Sequence, residues 1–355
     1  MTWIVLVCLA GFSCQRNNTA EAEIRDLMQK FVEESIAPGM GLGYYSNNTG
    51  TIMLAVGKAD VEENVPMDPC RNYPIQSTTK MFMSILTLQL IEEGKLKLES
   101  TIDEWMDDVP NNSEISIRNL LTHTSGLNRY MNNSEFMDEY FSGTEKEYTR
   151  NDLIRAGLEV SHDRKIENRE YSNTNFLILA NIIEAITQQS IGQALEQCIF
   201  RPAGMHHTYF KPGTAGDTTS IVKCYRFGEP IDLDKWNYLS NAGGGIVSTI
   251  EDMLKFAHWI TDHNYPAIMA QESEQIDLYA SLELPTRYGL GIEVDDKLFG
   301  VKMLGHSGGN PGLIHEFRFS PETGEILVYY VNEGRVGKPY GDFMKDLEII
   351  LQEYR

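Results

Sequence analysis

The chain has 355 residues, enough for one large domain or two interleaved ones at roughly 100 to 200 residues per domain. Hydrophobic residues at 42% and charged residues at 23% exclude a disordered chain and a multi-span membrane protein. Against 30 Lys+Arg stand 51 Asp+Glu, and a formal charge of −21 repels a nucleic-acid backbone and an anionic bilayer alike, so no nucleic-acid partner is expected.

Residues 1–18 read as a leader. Trp3 to Ser13 is an uncharged, mostly apolar run, shorter than the ~20 residues of a spanning helix and suited to a signal-peptide core. Small Gly11 and Ser13 flank Phe12 just ahead of Cys14, which resembles a bacterial lipoprotein leader, although no basic residue precedes the run. The expectation is export to the periplasm or cell envelope, with a lipid anchor at Cys14 or plain cleavage near Ser13 as the two outcomes. Cys70, Cys198 and Cys224 follow, an odd number without C-x-x-C spacing, so neither a disulfide framework nor a zinc ribbon is indicated.

Apolar residues at helical spacing (Ile24, Leu27, Met28, Phe31, Val32) predict a helix over Ala20–Ile36, stopped by Pro38-Gly39. Gly41–Tyr45 and Thr51–Val56 read as two antiparallel strands around the turn residues Asn47 to Gly50. Ser77–Glu93 is apolar nearly all round, hence a buried helix, ended by Gly94. The middle, from about Leu96 to Trp259, carries helical patterns such as Phe176–Thr187 and no run of strands. Strands are expected over Tyr288–Val294, Val301–Leu304, Ile314–Phe319 and Ile326–Val331, and a closing helix over Phe343–Tyr354. The expected fold is therefore α+β. An antiparallel sheet is assembled from residues 19–76 and 285–355 and flanked by helices, and residues 77–284 form a mostly helical insertion.

Gly305-His306-Ser307-Gly308-Gly309 matches the G-x-S-x-G elbow, which needs a helix after the serine and an acid, then a histidine, downstream. Pro311-Gly312 leads into a strand instead, and no acid separates Ser307 from His315 in the required order, so Ser307 is not expected to be a nucleophile. Ser77-x-x-Lys80 is the better candidate: one helical turn puts amine and hydroxyl on the same face. The amine can activate the serine if burial keeps it neutral. At a helix N-terminus, the serine's own N–H and the helix dipole face a developing oxyanion. Ser220-Ile-Val-Lys223 fits the same pattern, so the motif alone decides nothing.

The order of motifs decides more. Ser77-Thr78-Thr79-Lys80, Leu120 to Leu127 (LLTHTSGL), Tyr171-Ser172-Asn173, Asn241 to Gly245 and His306-Ser307-Gly308 resemble the landmarks of the penicillin-recognising serine hydrolases, in the branch of class C β-lactamases, DD-peptidases and related esterases. The likeness runs from about Ala37 to Asn332. It implies a β-lactamase/DD-peptidase-like fold in which Ser77 is the acylated nucleophile, Lys80 takes its proton, and Tyr171 relays a proton to the leaving group. Asn173 would hold the substrate amide, and the N–H of Gly309 would join that of Ser77 at the oxyanion. His306 falls where class C enzymes carry the Lys of K-T-G, and could hydrogen-bond Tyr171 or a carboxylate.

The resemblance implies an exported serine hydrolase acting on a D-amino-acid peptide, a β-lactam or an ester, by D-Ala-D-Ala carboxypeptidase-like or β-lactamase-like amide hydrolysis. An esterase or D-aminopeptidase of the same fold is the alternative, and a non-catalytic sensor of muropeptides or β-lactams is a different class of answer. The DD-carboxypeptidases with H-x-G resemble one another in an Arg after Tyr-Gly-Leu-Gly that receives a terminal carboxylate. Here Tyr288-Gly289-Leu290-Gly291 is followed by Ile292 and Glu293, which would repel that carboxylate unless Arg287 or Lys302 compensates. His123 is expected to pin a loop rather than act in chemistry, and Asn241 to Gly245 to shape backbone near the cleft. His206-His207, His258 and His263 lack partners at ligand spacing, so no metal and no cofactor are implied.

Overall fold

The computed structural model describes residues 5–142, 148–160, 165–167, 169–212, 220–271, 274–275 and 287–355. The first residues of the leader run and the expected boundary at 284–285 lie outside them. Helices are α1 (Val5–Glu34), α2 (Thr79–Glu92), α3 (Ile117–Leu121), α4 (Ser134–Phe141), α5 (Arg150–Leu158), α6 (Asn173–Thr187), α7 (Ile191–Leu195), α8 (Leu233–Ser240), α9 (Ile250–Asp262), α10 (Tyr265–Ala270) and α11 (Lys338–Tyr354). Strands are β1 (Gly39–Ser46), β2 (Gly50–Asp60), β3 (Val65–Pro66), β4 (Tyr73–Pro74), β5 (Tyr209–Phe210), β6 (Tyr225–Arg226), β7 (Glu229–Pro230) and β8 (Ile246–Ser248). They continue as β9 (Glu274–Gln275), β10 (Arg287–Tyr288), β11 (Glu293–Asp295), β12 (Met303–Asn310), β13 (Leu313–Phe319) and β14 (Ile326–Val331).

The main sheet has the order β3-β2-β1-β14-β13-β12-β11-β10-β9, and its paired strands are antiparallel, so the two ends of the chain meet at the β1–β14 pair. Two cores flank it. On one face Leu42, Tyr44, Leu54, Leu327 and Tyr329 pack under α1 and α11, through Phe31, Phe343 and Leu347. On the other face Phe317, Val328 and Tyr330 pack toward α2 and α9, where Phe82 stacks on Phe256 at 3.9 Å between ring centroids. Glycines in β1 make room for α9: a Cβ on Gly43 would stand 2.4 Å from Ile250. Thus α9 belongs to the sheet's packing although it lies inside the span expected to be a helical insertion.

Two expected strands are corrected. Tyr288–Val294 is not one strand: the chain reverses between β10 and β11, with Gly291 at φ +73 and its N–H bonded to Leu121 O. A Cβ on Gly291 would meet the Ser84 hydroxyl at 1.8 Å, so only glycine fits this reversal under α2. The strand expected at Val301–Leu304 starts at Met303 and continues through the glycine-rich string to Asn310. The middle of the chain is mostly helical but includes the short sheet β4-β8-β5 and the β6-β7 pair. Among the described residues no helix is long and apolar enough to cross a membrane.

Candidate active site

Ser77 lies in a 3-10 turn, Gln76–Thr78, that runs directly into α2, rather than on the first turn of the helix itself. Gln76 just before it has φ +48, a left-handed conformation rare outside glycine, so the turn holds the serine in a strained backbone. Two threonines fix this corner. Thr78 Oγ1 donates to His306 O at 3.0 Å, tying the turn to β12, and Thr79 Oγ1 accepts the N–H of Ile246 at 3.2 Å.

Lys80 is fully buried, and its Nζ sits 3.2 Å from Ser77 Oγ and 2.7 Å from Gly243 O. Burial, and after it the charge of Arg129, holds the amine well below its ordinary pKa, and Glu293 only partly opposes this. A neutral amine can donate one N–H to Gly243 O and keep its lone pair for the serine proton. The Asn241 to Gly245 string thus shapes the site as expected, by aiming one carbonyl at Lys80. The competing Lys223 is half-exposed, bridges Asp60 and Glu62, and is pushed up in pKa by those carboxylates, so it is no base.

Tyr171 precedes α6 in an extended loop. Its ring centroid is 4.8 Å from Lys80 Nζ and 5.0 Å from the Arg129 guanidinium carbon, and Arg129 Nε donates to Tyr171 O. Asn173 opens α6 with its Nδ2 toward Met131 Sδ at 3.5 Å and its buried Oδ1 without a hydrogen-bond partner among the described residues. His123 is buried, accepts the Ser172 N–H on Nδ1 at 3.1 Å and takes the Glu170 N–H on its carbonyl at 2.9 Å, so it does pin this loop.

On β12, Gly308 comes against the serine turn: a Cβ there would stand 2.6 Å from Ile75 O and 3.2 Å from Ser77 N. Ser307 is on a strand, with Oγ donating to Glu293 Oε1 at 2.8 Å, which removes the elbow reading. His306 does not bond Tyr171, whose ring centroid is 6.3 Å away; its Nε2 accepts from the Tyr288 hydroxyl at 3.0 Å. Its Nδ1 lies 2.5 Å from Ser307 O and 3.4 Å from Glu293 Oε1, two acceptors that place the ring proton on Nδ1. Burial outweighs the pull of Glu293 and lowers the imidazole pKa to about 4, so this position carries no cation at neutral pH.

Glu293 is buried, and its compensating cation is neither Arg287, which pairs with Asp296, nor Lys302, which lines a surface groove. It is Arg318, 2.5 Å from Glu293 Oε2 and 2.6 Å from Glu316 Oε1. Burial alone would raise Glu293, but Arg318 wins and its pKa is lowered. Glu293, Gly305 and Arg318 are successive partners across β11, β12 and β13, and the missing side chain at Gly305 lets the ion pair close over the middle strand. Alternation along β13 puts Arg318 on the face opposite Phe317 and Phe319, where a solvated side chain is expected, and nothing in one sequence announces that Glu293 stands two strands away across Gly305. Among the described residues no group of His, Cys, Asp or Glu is placed to hold a metal ion.

The Beta-lactamase family model matches residues 24–347. Protein flp of Staphylococcus aureus (strain MW2) is 28% identical over 200 residues, 55% of this chain and 39% of that protein, so the match spans about two fifths of the relative's length. D-amino acid amidase from Ochrobactrum anthropi SV3, complexed with L-phenylalanine amide, superposes with a TM-score of 0.82 at 22% identity, covering 94% of this chain and 98% of that one. The octameric penicillin-binding protein homologue from Pyrococcus abyssi gives 0.76 at 22% identity, covering 94% and 77%. At such identities the superpositions establish a shared fold, and the family match covers nearly the whole chain: this protein belongs to the Beta-lactamase family, the penicillin-recognising serine hydrolases.

Proposed function

We propose that the protein is an exported serine hydrolase that forms an acyl-enzyme at Ser77 and cleaves amides or esters of D-amino acids. The observation that carries this reading is the buried amine of Lys80, 3.2 Å from the Ser77 hydroxyl and steadied by Gly243 O. Ser77 Oγ attacks the substrate carbonyl as its proton passes to Lys80 Nζ. The oxyanion is met by the N–H of Ser77 and of Gly309. Ser307 N–H points out of the β11 side of the strand to Glu293 Oε2 at 3.1 Å, and a strand's two-residue period then turns the Gly309 N–H out of the same edge, one residue past Gly308, which lies against the serine turn. Tyr171 passes the proton from Lys80 to the leaving amine or alkoxide as the carbonyl carbon's bond to it breaks. Water then attacks the ester carbonyl, its proton passing through Tyr171 to Lys80 Nζ, and Lys80 returns a proton to Ser77 Oγ as the carbonyl carbon's bond to that oxygen breaks, which frees the acid and the Ser77 hydroxyl. Asn173, whose Oδ1 has no partner among the described residues, binds the substrate amide.

Glu293 favours an amide or ester leaving group over a terminal amino acid. Its carboxylate occupies the Ser307 hydroxyl and N–H, so a substrate carboxylate would find a negative charge and no free donor there. An amidase of D-amino acids, the activity named for the Ochrobactrum relative, fits that constraint. The leader-like run up to Cys14 supports export, and intact mass of the mature protein distinguishes a lipidated Cys14 from plain cleavage.

The test is intact-mass spectrometry with D-phenylalanine amide, D-Ala-D-Ala peptides and benzylpenicillin, on wild type and Ser77→Ala. Release of D-phenylalanine by wild type and none by the variant is expected, with little cleavage of the carboxylate-ended peptide. A lasting benzylpenicillin adduct with rapid carboxypeptidase turnover would replace this reading by a DD-peptidase. Undiminished turnover by Ser77→Ala would remove Ser77 as nucleophile.

A further inference from the structure

Tyr171 is held by a clamp that belongs to none of the reacting groups. His123 takes the N–H of Glu170 on its carbonyl and the N–H of Ser172 on Nδ1, so both neighbours of Tyr171 are bonded to one residue. Its ring lies 4.3 Å from the Tyr171 ring and 4.9 Å from that of Tyr288, whose hydroxyl holds His306. Asn175 Nδ2 stands 3.4 Å from the same Nδ1, and the other ring nitrogen, Nε2, is buried with no hydrogen-bond partner among the described residues. The histidine itself sits at φ +59, a conformation disfavoured for most side chains. A buried, strained residue carrying an unpaired donor is costly to fold. Its compensation here is the placement of the loop.

We infer that His123 is the positioning residue for Tyr171, fixing through the two flanking N–H groups the loop from which that phenol transfers its proton. This rests on the reading of Tyr171 as proton relay. The clamp needs a neutral acceptor at Nδ1, and burial together with the nearby Lys80 and His306 holds this imidazole well below its usual pKa. It also needs a residue that tolerates a left-handed backbone. Asparagine meets both conditions, since it adopts positive φ readily and its Oδ1 takes the place of Nδ1 as an acceptor. Glycine tolerates the backbone and removes the acceptor.

The experiment compares wild type, His123→Asn, His123→Gly and Tyr171→Phe on D-phenylalanine p-nitroanilide. Each is normalised to sites titrated by a fluorophosphonate at Ser77, so that only folded protein counts. Misplacing a reacting group by about 1 Å costs on the order of 100-fold, and His123→Gly is expected to lose about that much in kcat, with KM changed by less than about threefold. His123→Asn is expected to recover most of the loss. A His123→Gly variant with wild-type kcat per titrated site overturns the inference while Tyr171→Phe remains impaired. So does a His123→Asn variant that falls as far as His123→Gly, and this variant decides the matter if the glycine variant yields no titratable site. Wild-type kcat in Tyr171→Phe overturns the relay reading itself, and this inference with it.

Discussion

At the scale of single residues the site depends on one proton. Lys80 is useful only when neutral, and its amine is pushed down in pKa first by burial and then by Arg129. A base with a lowered pKa is charged below it and free above it, so kcat/KM is expected to fall tenfold per pH unit on the acid side as the amine gains a proton. The pH–rate profile checks this, and a profile unchanged in Lys80→Arg would contradict it. Arginine keeps its charge at any working pH, so that variant should lose at least about a thousandfold, the scale of removing a member of a catalytic set. His306 supplies no replacement cation, because its buried imidazole is neutral and committed to Tyr288 and Ser307 O.

Among elements, the contact between β12 and the serine turn leaves no room for a methyl group. Gly308 lets the strand lie against Ile75 O and Ser77 N, and Thr78 bonds across the same gap to His306 O. Gly308→Ala must push the two apart, since the methyl would stand 2.6 Å from a backbone carbonyl. Overpacking of this kind costs about 1 to 3 kcal/mol. The displaced oxyanion donors should lower kcat/KM by on the order of 100-fold. Thermal melting and steady-state kinetics read the two effects separately. A variant that melts earlier with unaltered kcat/KM would show that the strand does not set the oxyanion geometry. Behind the same strand, Glu293 and Arg318 reach each other across Gly305, so a second glycine of the string serves the opposite face of the sheet.

For the whole molecule, buried histidines set the response to acid. His306 and His315 are lowered to about 4 and about 3 by burial, and His123 is also held well below its usual range, by burial and by Lys80. Between about pH 6.5 and 4.5 the unfolded chain can bind protons on these three that the folded protein refuses. Glu316 works the other way: burial raises it to about 7, so over the same window the folded state holds a proton that the unfolded chain releases. Three groups against one leave the unfolded state binding more protons, so stability should fall on acidification from pH 6.5 to 4.5. Urea midpoints across that window check the sign, and a midpoint that rises toward acid would contradict it.

Periodicity made the hairpin β1–β2, the buried helix α2, the strands β13 and β14 and the closing helix legible, because each presents an apolar face at its own spacing whatever it packs against. The Ser77–Lys80 pair was legible for the same local reason: one helical turn fixes the distance between them. The extent of β12 was hidden, since Gly305, Gly308 and Gly309 are poor strand formers and are needed only because a turn and an ion pair press on that strand. The reversal at Gly289 to Ile292, the partner of Glu293 and the partners of His306 and His123 depend on residues far apart in sequence. The chain alone therefore determined its family, several of its helices and the one-turn spacing of Ser77 and Lys80, the pair proposed as nucleophile and base. The tertiary structure decided which charges survive in the site, because neutrality of Lys80 and His306 and the pairing of Glu293 with Arg318 follow from burial and proximity that exist only once the sheet is assembled.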